Sequence, residues 1–85
     1  MNTRIEPNNQ DAEKSVLASM LMSKYALQKC TDSLIKEEFY NDNHSKIFEA
    51  MKSLNDKGII VDITTLSAEL DRQKVLKQVG DIDYL

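Results

Sequence analysis

The side chains best suited to chemistry in this chain are its one histidine, His44, and its one cysteine, Cys30. A catalytic histidine needs a carboxylate partner, which Asp42 or Glu49 could supply. The interpretation we favour is structural, because His44 falls in the first turn of a predicted helix, where its ring packs or bonds a neighbouring loop. Cys30 lies on the apolar stripe of another predicted helix. We therefore expect a buried thiol that behaves as a small hydrophobe.

The sequence contains no motif for a bound nucleotide or a metal ion. A P-loop needs a glycine-rich run followed by Lys and Ser or Thr, whereas the only two glycines, Gly58 and Gly80, are far apart. A dinucleotide fingerprint is excluded on the same ground. A Cys/His zinc site needs about four ligands, and this chain offers one residue of each type. We predict no catalytic, cofactor-binding or metal-binding residues and no enzymatic activity for this chain.

An acidic stretch surrounds the aromatic pair Phe39-Tyr40. A calcium loop needs a glycine at its sharp turn, and no glycine lies in this stretch. We expect a solvated acidic face, with a docking surface for a basic partner as the alternative. Its carboxylates are Asp32, Glu37, Glu38 and Asp42.

The charge balance argues against a stand-alone nucleic-acid binder. The formal net charge is −3, and the eleven Lys and Arg residues are scattered without a basic run. Nucleic-acid-binding domains usually carry a clustered basic surface. We therefore expect no direct binding of nucleic acid.

The length and composition predict one small helical domain in the cytoplasm. A chain of 85 residues is enough for a single domain, and two glycines with one proline leave little room for tight turns. The N-terminus lacks the apolar segment of a signal peptide. No apolar run approaches the roughly 20 residues that span a bilayer. The lone cysteine fits a reducing compartment.

Apolar residues recur at helical spacing after a polar lead-in over residues 1–8. Asn8 or Asn9 is expected to cap the first helix. Asp11 and Glu13 follow in its first turn, where the helix dipole favours negative charge. A second helix of about ten residues precedes a short turn that buries Phe39, and a third helix follows. The predicted core consists of Val16, Leu17, Met20, Leu27, Phe39, Ile47, Phe48, Met51, Leu66 and Leu70.

The second half of the chain contains the clearest helix boundaries. Gly58 suits a left-handed cap at the end of the third helix. Residues 59–61 are apolar and β-branched, which would allow a strand, but for three residues we expect an extended connector that packs down on the core. Asp62 is then expected to cap a fourth helix, with Ile63 facing inward. A last short helical segment is predicted over residues 75–79, so the fold class is all-α.

Several short patterns, quoted in chain order, resemble the N-terminal domain of a DnaB-type replicative DNA helicase. Each pattern is weak alone, and the ordered set is the more specific feature. Departures fall at Ala18-Ser19, Lys36 and Asp81, where the family often has Gly-Gly, Pro and Gly. The residues that carry the patterns are Pro7, Asn9, Ala12, Glu13, Val16 and Leu17; Glu38, Phe39 and Tyr40; His44, Ile47, Phe48, Ala50 and Met51; Val61, Asp62, Thr65 and Leu66; and Val79, Gly80, Tyr84 and Leu85.

The resemblance implies a small orthogonal bundle of about five to six helices over residues 9–85, truncated before the helical hairpin of the family. It implies an N-terminal collar domain that acts in assembly of a hexameric ring and docks primase or a helicase loader. Expected partners are therefore other helicase subunits and these replisome proteins. ATP and Mg²⁺ would belong to the motor of the parent helicase. Because the family pairs subunits largely through the hairpin, the resemblance implies that these residues alone are monomeric.

Two other functions remain open on the sequence. A helix-turn-helix DNA-binding domain needs a recognition helix rich in Arg, Lys, Asn or Gln. The predicted fourth helix offers Arg72 and Gln73 only at its end. Glu69 and Asp71, which would repel phosphates, lie beside them. The helicase-interacting domain of a primase or loader is the other alternative.

Overall fold

The computed structural model describes residues 9–73 of the 85-residue chain, and all the regular structure in them is helical. They contain four α-helices and one short 3-10 helix. The predicted all-α class is confirmed, but the predicted five to six helices are not found within these residues. The segment expected over 75–79 and the lead-in over 1–8 lie outside them. The elements are α1 (Gln10–Met22), α2 (Lys24–Ser33), the 3-10 turn (Lys36–Glu38), α3 (Asp42–Asp56) and α4 (Ile63–Arg72).

A short polar side chain caps the beginning of each α-helix. The Asn9 side chain accepts from the backbone N–H of Ala12 and begins α1. Ser23 plays the same part for α2, and Asn41 for α3. Asp62 caps α4 by accepting from the N–H of Thr65 at 2.8 Å, and the Thr65 hydroxyl accepts from the N–H of Asp62. Such caps satisfy backbone donors that have no partner inside the helix.

A Schellman turn ends α3. Gly58 adopts φ +75°, the left-handed conformation that favours glycine. The N–H of Ile59 donates to the carbonyl of Leu54, and the N–H of Gly58 donates to that of Asn55, each at 3.0 Å. This pair of hydrogen bonds defines the motif. It fixes the direction in which the chain leaves α3 toward the connector at residues 59–61.

The core lies where all four helices meet. Nine of the ten residues expected there are buried, while Val16 is half-buried and packs against the edge. Val16 flanks the stripe formed by Leu17 and Met20, which explains its partial exposure. Phe39 and Phe48 bring the 3-10 turn onto α3, with ring centroids 5.0 Å apart.

The connector between α3 and α4 differs from the sequence prediction. Val61 packs against the core, but Ile59 and Ile60 are exposed. Ile63 is 57% exposed, so its predicted inward orientation is wrong. It is the first residue of α4 and lies at the connector end of the helix, one turn before the buried Leu66. Within residues 9–73, no helix has the length and apolar character needed to cross a membrane.

Candidate functional site

The one histidine belongs to a buried hydrogen-bond network that joins the N-terminal ends of α1 and α3. Glu13 and His44 are both fully buried. Nδ1 of His44 donates to Oε1 of Glu13 at 2.6 Å. The Glu13 carboxyl also accepts from the backbone N–H of Tyr40 at 2.6 Å and of Asn41 at 3.3 Å. Three donors thus converge on one side chain, as expected for a buried carboxylate.

This network is structural because neither side chain reaches solvent. The prediction that His44 packs its ring or bonds a loop agrees with its position, but neither Asp42 nor Glu49 is the partner found. Glu13 lies in the first turn of α1, as expected from the helix dipole, and it is also fully buried. It precedes Leu17 and Met20 on their helical stripe, just as His44 precedes Ile47 on α3. In the sequence, each of these two polar residues occupies a position that continues a stripe of core residues. This pattern could have indicated that the two side chains are buried together.

A second cluster of polar side chains lies at the C-terminal end of α4. Arg72 donates to both carboxylate oxygens of Glu69, at 2.6 and 3.1 Å, and the Gln73 side chain donates at 2.6 Å. Lys57 approaches the same carboxylate at 4.0 Å. Hydrogen bonding from Arg72, supported by Gln73 and opposed by desolvation, lowers the pKa of Glu69 to about 2. The two residues that a DNA-reading helix would need are therefore engaged with Glu69.

Cys30 is half-buried and packs against the core, so the prediction of a buried thiol is only partly met. Burial raises the pKa of the Cys30 thiol, and this effect outweighs the opposing charge of the nearby Lys29. A raised pKa disfavours the thiolate, which is the nucleophilic form. Within residues 9–73, no three His, Cys, Asp or Glu side chains are grouped so as to hold a metal ion.

The acidic stretch is largely engaged in local contacts. Asp32 accepts from the Gln28 side chain, and Glu38 accepts from the backbone N–H of Ile35. Asp42 pairs with Lys46 one helical turn away. Glu37 is exposed. These contacts match a solvated face better than a preformed docking site.

An apolar groove lies where the joint between α1 and α2 meets the connector at residues 59–61. Its volume is about 170 Å³. The floor is formed by buried side chains, among them Met20 and Leu27, whereas Met22 and Ile60 are 86% and 79% exposed. Exposed apolar groups that adjoin each other mark contact surfaces more often than isolated ones do. Among the described residues, the groove is lined by Met20, Leu21, Met22, Lys24, Leu27, Asn55, Gly58, Ile59, Ile60 and Val61.

Comparison with known proteins places this domain among replicative helicases. The family model described as DnaB-like helicase N terminal domain matches residues 5–85 of this chain. The replicative DNA helicase DnaC of Bacillus subtilis (strain 168) is 39% identical over 85 residues, which is 100% of this chain and 19% of that protein. The replicative DNA helicase DnaB of Geobacillus stearothermophilus is 39% identical over 82 residues, covering 96% of this chain and 18% of that protein.

A solved structure has the same fold. The crystal structure of the N-terminal domain of DnaB helicase from Mycobacterium tuberculosis superposes with a TM-score of 0.88 at 36% identity. The superposition covers 92% of this chain and 56% of that one. This chain therefore spans less than a fifth of the curated relatives and about half of the solved domain.

Proposed function

Since the chain belongs to the family of DnaB-like helicase N-terminal domains, we propose that it is the N-terminal collar and interaction domain of a hexameric replicative DNA helicase. In this role it acts in ring assembly with other helicase subunits. It also docks primase, a helicase loader or other replisome proteins. The observation that carries the proposal is the exposed apolar groove on an otherwise well-packed small domain.

The proposed role is one of contact and not of catalysis. The chain corresponds to 19% of the Bacillus subtilis relative, and its sequence has no glycine-rich phosphate loop. ATP and Mg²⁺ would therefore be bound by the motor of the parent helicase, elsewhere in that protein. We expect the 85-residue chain to hydrolyse ATP no faster than buffer.

Exchange of the domain in a relative tests this proposal. Residues 5–85 would replace the matching N-terminal segment of the Bacillus subtilis helicase, with a domain-deleted helicase as control. We expect the chimera to form hexamers by sedimentation and to bind the primase of that organism, and the deleted form to lose at least one of these properties. A chimera that folds but behaves like the deletion in both assays would contradict the proposal.

The alternative parent, a primase or loader, is disfavoured by the family match. A helix-turn-helix function is disfavoured by the bonds that tie Arg72 and Gln73 to Glu69. We expect negligible binding of single-stranded DNA by the isolated chain at physiological salt. Tight binding that weakens steeply with salt, as phosphate contacts require, would favour the DNA-binding function instead.

A further inference from the structure

We propose that the apolar groove between the α1–α2 joint and the connector at residues 59–61 is the docking site for an acidic amphipathic helix of a partner protein. This inference rests on the proposed interaction role and goes further by naming the surface and the chemistry of its occupant. An amphipathic helix presents apolar side chains on one face, so one of them can anchor in a groove while the charges of the helix stay at its edges.

The groove has the size and lining that a bulky apolar side chain needs. Its volume, about 170 Å³, is close to the ~150 Å³ of an apolar cavity that binds benzene. Leu27 and Met20 form a buried floor, and the exposed side chains of Met22 and Ile60 form the walls. Methionine is flexible and adapts to different apolar surfaces. One anchoring side chain from a partner fits this space.

The backbone around the groove is already fixed. The Schellman turn holds Gly58, and the carbonyl of Ile60 accepts a hydrogen bond from the Thr65 hydroxyl at 2.7 Å. On the other edge, the Asn55 side chain donates to that of Gln28 at 3.0 Å and joins α3 to α2. Little chain ordering is therefore needed on binding, and such preorganisation raises affinity.

The charge at the edge of the groove selects the partner. Lys24 lines the groove, and no carboxylate does so among residues 9–73. Within that same part of the chain, Lys24 forms no ion pair, whereas Lys36, Lys46, Lys52 and Lys57 each do. A carboxylate on the partner would complement Lys24. A second copy of this chain fits less well, because a two-fold contact would bring the same patch, and hence Lys24, against itself.

Two helical peptides with identical leucine faces test the proposal, one flanked by glutamates and the other by lysines. Binding to the 85-residue chain is measured by fluorescence anisotropy at physiological and at high salt. We expect the glutamate peptide to bind about tenfold more tightly at physiological salt, where the net charge of −3 on the chain is screened beyond about 8 Å and the nearby Lys24 dominates, and the difference to shrink at high salt. Equal affinities, or tighter binding of the lysine peptide, would overturn the proposal.

Three variants locate the site. Ile60→Gln is expected to weaken binding of the glutamate peptide about tenfold, as loss of a central apolar contact does. Lys24→Glu is expected to reverse the preference between the peptides. Ile63→Gln is the matched control, because Ile63 is an exposed isoleucine that does not line the groove. Circular dichroism checks that each variant is folded.

Other outcomes identify a different occupant or no site. Equal losses in Ile60→Gln and Ile63→Gln would show non-specific apolar binding. A dimer that Ile60→Gln dissociates would show that a second copy covers the groove. Displacement of the peptide by single-stranded DNA would identify a nucleic-acid surface. Each of these results overturns the proposal as stated.

The domain exchange described above separates this inference from the proposed function. If the chimera assembles and binds primase while Ile60→Gln and Lys24→Glu change neither peptide binding nor primase binding, the collar function stands and the groove assignment fails. If the chimera fails in both assays while the peptides bind as expected, the proposed function fails independently.

Discussion

The α1–α3 contact and the connector between α3 and α4 reverse the usual distribution of polar and apolar groups. At the first, Glu13 and His44 are fully buried and bonded to each other. At the second, Met22 and Ile60 are among the most exposed apolar side chains described. Buried polar groups require fixed partners, so the first region determines how the helices meet. Exposed apolar groups leave the second region suited to contact with another molecule.

The largest loss of stability is expected from Phe48→Ala in the interior. Phe48 is fully buried against Phe39, and truncation of a core aromatic typically costs about 3–5 kcal/mol of unfolding free energy. Urea denaturation measures the loss. Tyr25→Ala removes an exposed aromatic of similar size and is expected to change stability by less than about 0.5 kcal/mol. Similar losses in the two variants would show that Phe48 is not a core residue.

A smaller loss is expected from Glu13→Gln, which keeps the shape and removes one acceptor. The amide nitrogen then faces a backbone N–H or the ring nitrogen of His44, and one buried donor loses its partner. We expect a loss of about 1–3 kcal/mol. Glu37→Gln, an exposed counterpart, serves as control in the same urea titration. Superimposable curves for wild type and Glu13→Gln would mean that the network does not hold α1 to α3.

The pKa of Glu69 predicts a weaker, pH-dependent effect. This pKa falls from 4.5 to about 2 on folding, chiefly through the hydrogen bond from Arg72. The unfolded chain therefore binds the proton more readily, and the stabilisation is complete above about pH 4.5 and lost as the pH falls toward about 2. The contribution is small because Arg72 is largely exposed and water screens the pair.

Thermal melts across that pH range measure this effect. The difference in Tm between wild type and Glu69→Gln should shrink as the pH is lowered. Asp71→Gln, an exposed neighbour on α4, supplies the control. A difference that is constant with pH would show that the Arg72 bond does not stabilise the folded chain.

A still smaller change in stability is expected from a substitution in the exposed connector. Ile60→Gln should alter unfolding free energy by less than about 0.5 kcal/mol, because the side chain is exposed. Val61→Ala, one residue along, should cost more because Val61 packs against the core. Chemical denaturation of both variants decides this. A large loss for Ile60→Gln would place that side chain in the interior.

Local sequence rules predicted the all-α class because helix caps and 3.6-residue spacing act within a few residues. Asn9, Ser23 and Asp62 carry short polar side chains at positions where the apolar spacing begins. Gly58 is one of two glycines and follows an amphipathic helix. The type of domain was identified from the family resemblance. The predicted count of five to six helices applied to residues 9–85, and residues 9–73 show four α-helices and one 3-10 turn.

The same rules failed where a partner is distant in the sequence. Glu13 and His44 are 31 positions apart, so neither the dipole argument nor a search among neighbouring carboxylates could join them. The groove was missed for a different reason. Ile59 and Ile60 are as apolar as core residues, and the direction in which a connector points its side chains depends on how α3 ends and α4 begins.

Ser23 occupies the joint between α1 and α2 by itself. Its N–H bonds to Ser19, its hydroxyl accepts from Ala26, and its carbonyl accepts from Leu27. The N–H, the hydroxyl and the carbonyl of this residue each form a hydrogen bond, so the link between the two helices is fixed. One residue inserted at this joint would separate the residue that ends α1 from the residue that caps α2, so either the bond to Ser19 or the cap on α2 would be lost. Length variation among related chains should therefore be rare at this joint and commoner in the connector at residues 59–61.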